Sequence, residues 1–284
     1  MPELPEVETV CRGLRATVLG RTIRRVTVNA PPSSIVVSPS FGARTFEQVL
    51  RNRTIEQVDR RGKNILIRLS GDITLWVHLK MTGHFFFLDC SRPIGKHDLV
   101  IIEFVPGNTT DPACDLRFND YRRFGRLRLF KNGELFAQDG LRDIGPEPLE
   151  ISPEEFAASA CRTRRAIKAA LLDQSFLAGV GNIYADEALY AARIHPLRLT
   201  SSISRAKLIE LHRHIVRLLN LAIKSMGTSV DSYSGINGEA GHFQRYLKAY
   251  DREGEPCDRC GAGIVRKKIG ARSAHYCPRC QRPR

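Results

Sequence analysis

Hydrophobic positions near the start of the chain recur at helical spacing. Val7, Val10, Cys11, Leu14 and Val18 fall on one stripe of a helix over 3–18, with Gly20 as its stop. The period then changes. Ile23–Val28, Ile65–Leu69, Thr74–Leu79, Leu99–Phe104 and Arg126–Phe130 are short β-rich runs. Turn clusters such as Ser70-Gly71-Asp72 and Lys131-Asn132-Gly133 separate them. Such runs across 22–135 predict a sandwich or barrel-like domain. Past Gly145-Pro146-Glu147-Pro148 the period is helical from Pro153 to Met226. It is clearest over Lys207–Met226, where Leu208, Leu211, Ile215, Leu218, Ala222 and Met226 keep the spacing. Residues 106–115 are polar and turn-rich and predict a long loop. Residues 228–244, with Gly235, Gly238 and Gly241, predict a mobile one.

These shifts predict an α+β chain in three parts: a β-sandwich domain with a flanking helix over 1–145, a helical domain over 152–248, and a small terminal unit over 249–284. A length of 284 residues is ample for such cores. No apolar run approaches membrane-spanning length, and the start lacks a basic-then-apolar leader pattern, so a cytoplasmic location is expected. Charge changes the picture more. Forty-four Lys and Arg against thirty Asp and Glu leave a net +14, which points to a polyanion, nucleic acid before anionic membrane.

The eight cysteines divide unevenly. Cys11, Cys90, Cys114 and Cys161 are scattered. Cys257, Cys260, Cys277 and Cys280 form two C-x2-C knuckles, the pattern of a closed tetrahedral Zn²⁺ site. Four protein ligands leave no open position, so one structural ion per chain is expected. A tail this short lacks a core of its own and would draw its folding energy from the metal. Arg266, Lys267, Lys268 and Arg272 lie between the knuckles and present cations as a phosphate-binding finger would.

Other segments are less specific. Met1-Pro2-Glu3-Leu4-Pro5-Glu6 taken alone reads first as an acidic helix start. Removal of Met1 would leave Pro2 as a secondary amine, a nucleophile whose adduct with an aldehyde carbon is an iminium with fixed positive charge. Glu3 and Glu6 would then supply a proton donor and a support. Lys168 and the stretch Gly179-Val180-Gly181-Asn182 belong to a helix, glycine turn and helix, where free N–H groups suit a phosphate. A plain helical hairpin has the same pattern. Lys63, after Arg60-Arg61-Gly62, reads alone as a solvated turn lysine, Met81 and Phe124 as core, and Arg122 as surface.

Met1-Pro2-Glu3-Leu4-Pro5-Glu6-Val7-Glu8-Thr9, Gly179-Val180-Gly181-Asn182-Ile183-Tyr184-Ala185-Asp186-Glu187 and the cysteine knuckles together resemble the formamidopyrimidine-DNA glycosylases. The likeness runs from residue 2 to 281. It implies a helix–two-turns–helix in the helical domain and a zinc-finger β-hairpin at the end. It implies a bifunctional repair enzyme acting on duplex DNA with oxidised purines or abasic sites, as a monomer. By the same match Pro2 is the nucleophile, Glu3 a proton donor and Glu6 a support, and Lys63 and Arg272 assist elimination. Met81, Arg122 and Phe124 fill the gap left by an extruded nucleotide, with Arg123 beside them, and His97, Arg164, Lys168 and Asn182 contact DNA. Sister enzymes for oxidised pyrimidines usually have Gly where this chain has Leu4. A catalytically inactive zinc-containing DNA-binding protein would share the charge, finger and helical motif. Three positions depart from the family pattern: Tyr121 stands where Pro or a small residue is common, Lys80 where a small or apolar one is, and the loop at 106–115 is long.

Overall fold

A computed structural model of the chain describes residues 1–29, 35–41, 45–106, 114–137, 141–229, 235–236 and 238–283. The chain divides into two compact units, 1–142 with 226–242, and 143–225 with 243–284.

The first unit opens with helix α1, Leu4–Val18. Glu3 caps it, and Glu3 and Glu6 satisfy each other's backbone N–H groups in a reciprocal capping box. Pro5 sits in the first turn, where no helical N–H is needed. The predicted stripe of Val7, Val10, Cys11, Leu14 and Val18 is buried. Nine strands and a short helix follow: β1 Ile23–Val28, β2 Val36–Val37, α2 Phe46–Leu50, β3 Ile55–Arg61, β4 Asn64–Leu69, β5 Ile73–His78, β6 His84–Asp89, β7 Asp98–Phe104, β8 Cys114–Asn119 and β9 Arg126–Lys131. They form one sheet in the order β1-β7-β8-β6 and a second in the order β2-β9-β5-β4-β3. Only the β2–β9 pair is parallel among the described pairings of these sheets. Side chains from both sheets and from α1 make one core, as a sandwich requires.

Every strand singled out in the sequence is found within a residue or so of its expected ends. β3 and β8 carry weaker signals for physical reasons. β3 is an edge strand with two buried positions, Ile55 and Val58, among charged ones. β8 turns Arg117 inward, where its guanidinium bonds Asp115 at 2.7 and 3.1 Å and the Pro93 and Arg92 carbonyls at 2.9 and 2.8 Å. A buried arginine breaks an apolar run.

The second unit is not continuously helical. It has α3 Pro153–Cys161, α4 Ile167–Leu172, α5 Asn182–Ala191 and α6 Arg205–Lys224, then a hairpin of β10 Val265–Ile269 and β11 Arg272–Tyr276. Gly179 at φ +79° and the extended Gly181 break the chain before α5. α6 stops where Met226 and Gly227 take positive φ.

The expected three-part division needs two corrections. Residues 226–242 return to the first unit instead of staying with 152–248. Ile236 is buried in the sandwich core, packs where a side chain on Gly13 would stand, and accepts the Phe87 N–H at 3.1 Å. The finger is not a separate unit either, because Tyr190 and Ala249 share a core with Cys257, Ile264 and Cys277. Of the two predicted loops, 107–113, 230–234 and 237 lie outside the described residues.

Candidate functional site

α1 lies on β3, the strand that leads to Lys63. Arg15 Nε donates to the Val58 carbonyl at 2.7 Å, Cys11 to the Asp59 carbonyl at 3.6 Å, and Arg60 Nε to Glu8 at 3.4 Å. The helix therefore runs antiparallel to the strand, with its first residues on the side of the turn at Gly62-Lys63. That turn joins β3 to β4, and Gly62 holds φ +56°, which suits glycine. Pro2, Glu3, Glu6 and Lys63 are all buried. Glu6 gives one oxygen to the Glu3 N–H at 2.8 Å and the other to the Thr228 N–H at 2.8 Å.

Lys63 is 6% exposed and so is not the solvated turn residue its sequence context suggests. Its charge is felt by His78, whose pKa is pushed down to about 3 by burial first, then by the cations of Lys80 and Lys63. Hydrogen bonding agrees, since His78 Nδ1 accepts the Lys80 N–H at 3.0 Å, which a neutral ring alone can do. Lys63 and Lys80 thus place a positive field on a neutral His78 imidazole.

The void-filling candidates follow the strand ends. Met81 lies after β5 and is half-buried, while Arg122, Arg123 and Phe124 lie after β8 and are exposed. The Arg122 guanidinium sits 4.9 Å from the Phe124 ring centroid. His97 meets the ring of Tyr121, the unusual residue of this segment, edge-on at 6.4 Å. These side chains combine an aromatic face, a soft thioether and planar donors, a set suited to holding open a base stack and reading what is left.

In the second unit, Arg164 is exposed ahead of α4 and Asn182 heads α5. The Gly179 N–H donates to Gln174 Oε1 at 2.9 Å, which fixes the turn between α4 and α5. Lys168 also has a structural role. It is fully buried, and its ammonium donates to Asp186 at 2.5 Å and to the Ser273 carbonyl at 2.6 Å. Asp186 also accepts the N–H of His275 at 2.9 Å and lies 3.1 Å from its Nδ1. Lys168 therefore secures β11 to the helices. Arg272 is exposed at the tip of that hairpin, across from Ile269 and beside Gly270 at φ +59°.

The sulfur atoms of Cys257, Cys260, Cys277 and Cys280 all lie within 4.8 Å of one another, and Cys260 is 3.5 Å from both Cys277 and Cys280. A Zn–S bond of about 2.3 Å implies an edge of about 3.8 Å in a tetrahedron, so the four sulfurs fit the ion. They hold one structural Zn²⁺.

Sequence reading missed Thr82, Asp120, Thr228, Asp186 and His275 as organising residues. Asp120 alone carried a local signal, an Asp opening a turn that ends at Gly125. The others act through contacts between positions distant in the chain.

Three family models match the chain: the formamidopyrimidine-DNA glycosylase N-terminal domain over 1–127, its H2TH domain over 144–234, and the zinc finger found in FPG and IleRS over 254–283. A formamidopyrimidine-DNA glycosylase of Pelotomaculum thermopropionicum is 44% identical over 99% of each chain. One from Pediococcus pentosaceus is 45% identical, again over 99% of each. A Lactococcus lactis Fpg in complex with abasic-site DNA has a TM-score of 0.87 at 33% identity, covering 99% of both chains. MutM in complex with carbocyclic 8-oxo-G DNA has a TM-score of 0.87 at 32% identity, covering 99% of this chain and 100% of that one. With domains matched in order and relatives similar from end to end, the chain belongs to the formamidopyrimidine-DNA glycosylase family.

Proposed function

We propose that this chain is a base-excision repair DNA glycosylase that removes oxidised purines, chiefly 8-oxoguanine and formamidopyrimidines, and then cleaves the abasic site by β,δ-elimination. The observation that supports this reading is the buried Pro2-Glu3 start, held by Glu6, in the same unit as a buried Lys63. Solved relatives support the substrate class, since their titles name Fapy-dG, carbocyclic 8-oxo-G and abasic-site DNA.

The target nucleotide leaves the stack, because its sugar carbon is out of reach inside the duplex. The Pro2 amine, freed by loss of Met1, forms a bond to C1′ while the glycosidic bond breaks, its electron pair leaves with the base, and the amine's N–H proton passes to that base. Glu3 gives a proton to the ring oxygen as the sugar opens, and the result is an iminium on Pro2. Loss of a C2′ proton feeds electrons toward the iminium and expels the 3′ phosphate. A second elimination expels the 5′ phosphate, and water releases the sugar fragment from Pro2. Lys63 and Arg272 are the cations that serve the departing phosphates. The zinc finger holds Arg272 in place and takes no part in the bond changes.

Duplex DNA is the partner, met by Met81, His97, Arg122, Arg123 and Phe124 in one unit and by Arg164 and Asn182 in the other. The protein acts as a monomer in the cytoplasm, and no helix among the described residues is long and apolar enough to cross a membrane. Leu4 and the Met81, Arg122 and Phe124 set favour purine over pyrimidine lesions. A panel of duplexes carrying 8-oxoguanine, formamidopyrimidine or an oxidised pyrimidine tests this. Purine lesions are expected to be excised fastest. Faster removal of the pyrimidine lesion would move the chain to the sister activity, and binding without excision would make it an inactive DNA-binding protein.

A further inference from the structure

Three separate segments carry the DNA-facing candidates of the first unit: Met81 after β5, His97 before β7, and Arg122 to Phe124 after β8. One buried residue is tied to all of them, by its side chain to two and by its backbone N–H to the third. Asp120 is 0% exposed. Its Oδ1 accepts the Thr82 hydroxyl at 2.5 Å and the Arg122 N–H at 3.2 Å, and its Oδ2 accepts the Gly125 N–H at 2.7 Å. Its own N–H donates to the His97 carbonyl at 3.0 Å, and its carbonyl accepts the Arg123 N–H at 3.3 Å.

From this juxtaposition we propose that Asp120 is a positioning residue that holds the Met81 wedge and the Arg122 reader as one unit, and thereby sets discrimination of the base opposite the lesion. The inference rests on the DNA-repair reading above.

The chemistry at Asp120 is one-directional. A carboxylate only accepts, and its three side-chain partners only donate here. An Asn of the same shape would turn an NH₂ toward at least one of those donors. The loop also needs holding. Arg123 sits at φ +57°, a conformation that costs an L-residue energy and persists only where its surroundings determine it. A plain Asx turn would tie 120 to 122 and nothing more. The bond to Thr82 goes further, because Thr82 follows Met81 on a different segment. The packing of Gly83 and Gly125 is equally tight, since a side chain at either would collide with Phe118. The two segments thus share a carboxylate and an aromatic wall.

Arg122 discriminates between opposite bases only while its guanidinium keeps one position. Cytosine offers two acceptors to it, and adenine offers one acceptor beside a donor. Freeing the loop should therefore erode the preference for cytosine more than it erodes bulk affinity, which arises from phosphate contacts.

The experiment is single-turnover excision of 8-oxoguanine opposite cytosine and opposite adenine by wild type, Asp120→Asn, Thr82→Val and Thr82→Ser. Thermal unfolding and borohydride trapping on a preformed abasic duplex accompany it. Where Asp120→Asn folds, its cytosine-to-adenine ratio should fall about tenfold, as loss of a charge-assisted hydrogen bond implies. Its abasic-site trapping should fall by less. An unchanged ratio in folded Asp120→Asn overturns the proposal. If that variant does not fold, the Thr82 pair decides. A lower ratio in Thr82→Val with recovery in Thr82→Ser supports the shared unit, and wild-type ratios in both overturn it. Failure of wild type to excise 8-oxoguanine at all would instead count against the function proposed above.

Discussion

The carboxylate of Glu6 accepts the N–H of Thr228, 222 positions away, at 2.8 Å while its other oxygen accepts the N–H of Glu3. Glu6 is 2% exposed, so both bonds are made out of water. One side chain thus anchors the start of the chain and brings residues 226–242 back to the sandwich.

Glu6→Gln is the direct test of that anchor. The amide nitrogen of Gln would face one of the two N–H donors, and a buried unsatisfied donor costs about 1–3 kcal/mol. Trp76, the only tryptophan, lies in the same unit and reports its unfolding. The urea midpoint by Trp76 fluorescence should therefore drop. An unchanged midpoint would show that the Thr228 contact contributes nothing to this unit.

His78 makes the same unit sensitive to acid. Its pKa is about 3 in the fold and near 6.5 when unfolded, so between these values the unfolded chain binds more protons. The stability tied to this group is full above pH 6.5 and is lost as pH falls toward 3, with a slope of up to about 1.4 kcal/mol per pH unit. His78→Asn keeps an acceptor for the Lys80 N–H but cannot titrate. Its Trp76 urea midpoints between pH 4 and 7 should slope less than wild type by about one proton. Parallel slopes would mean that His78 titrates in the fold as it does in the unfolded chain.

Lys168 separates two roles by salt. As the ammonium that holds Asp186 and the Ser273 carbonyl, its loss in Lys168→Met takes the cation from a buried carboxylate that keeps His275 and should destabilise the second unit by about 3 kcal/mol. The dependence of DNA affinity on salt should stay as in wild type. A phosphate contact would give the reverse: a stable variant whose log–log salt slope is smaller by about one. Calorimetry and a salt titration on the same preparation distinguish them.

The finger gives a metal prediction. Native protein should carry one Zn²⁺ per chain by emission spectrometry. Cys260→Ser should lose the ion and weaken DNA binding, while Trp76 unfolding stays unchanged because it lies in the other unit. Because Cys257 and Cys277 share a core with Tyr190 and Ala249, thermal unfolding of the helices should shift down as well. Native protein with metal content near zero would remove the ion from the structure.

What could be read from residues alone was whatever repeats locally. The α1 stripe, the apolar strands and the knuckles are periodic or closely spaced, and they appear where expected. Burial of Lys63 was not legible, because a lysine after a glycine turn carries no local sign of what packs over it. The return of 226–242 depends on Ile236, an isolated apolar residue in a polar stretch. Lys168 sits on a motif whose chemistry suits phosphate, and only the position of Asp186 on α5 shows its structural role. Asp120 is short-range in sequence, yet its reach to Thr82 spans 38 positions.

The central claim is that the Pro2 nitrogen itself becomes bonded to the sugar. Incubating the protein with an abasic-site duplex and borohydride, then mapping the adduct by mass spectrometry, measures this directly. The expected result is a single reduced adduct on the N-terminal peptide, at Pro2, in chains that have lost Met1. Chains blocked ahead of Pro2 should give none. An adduct on Lys63 or another lysine, or full strand cleavage by protein whose N-terminus is shown to be blocked, would contradict it.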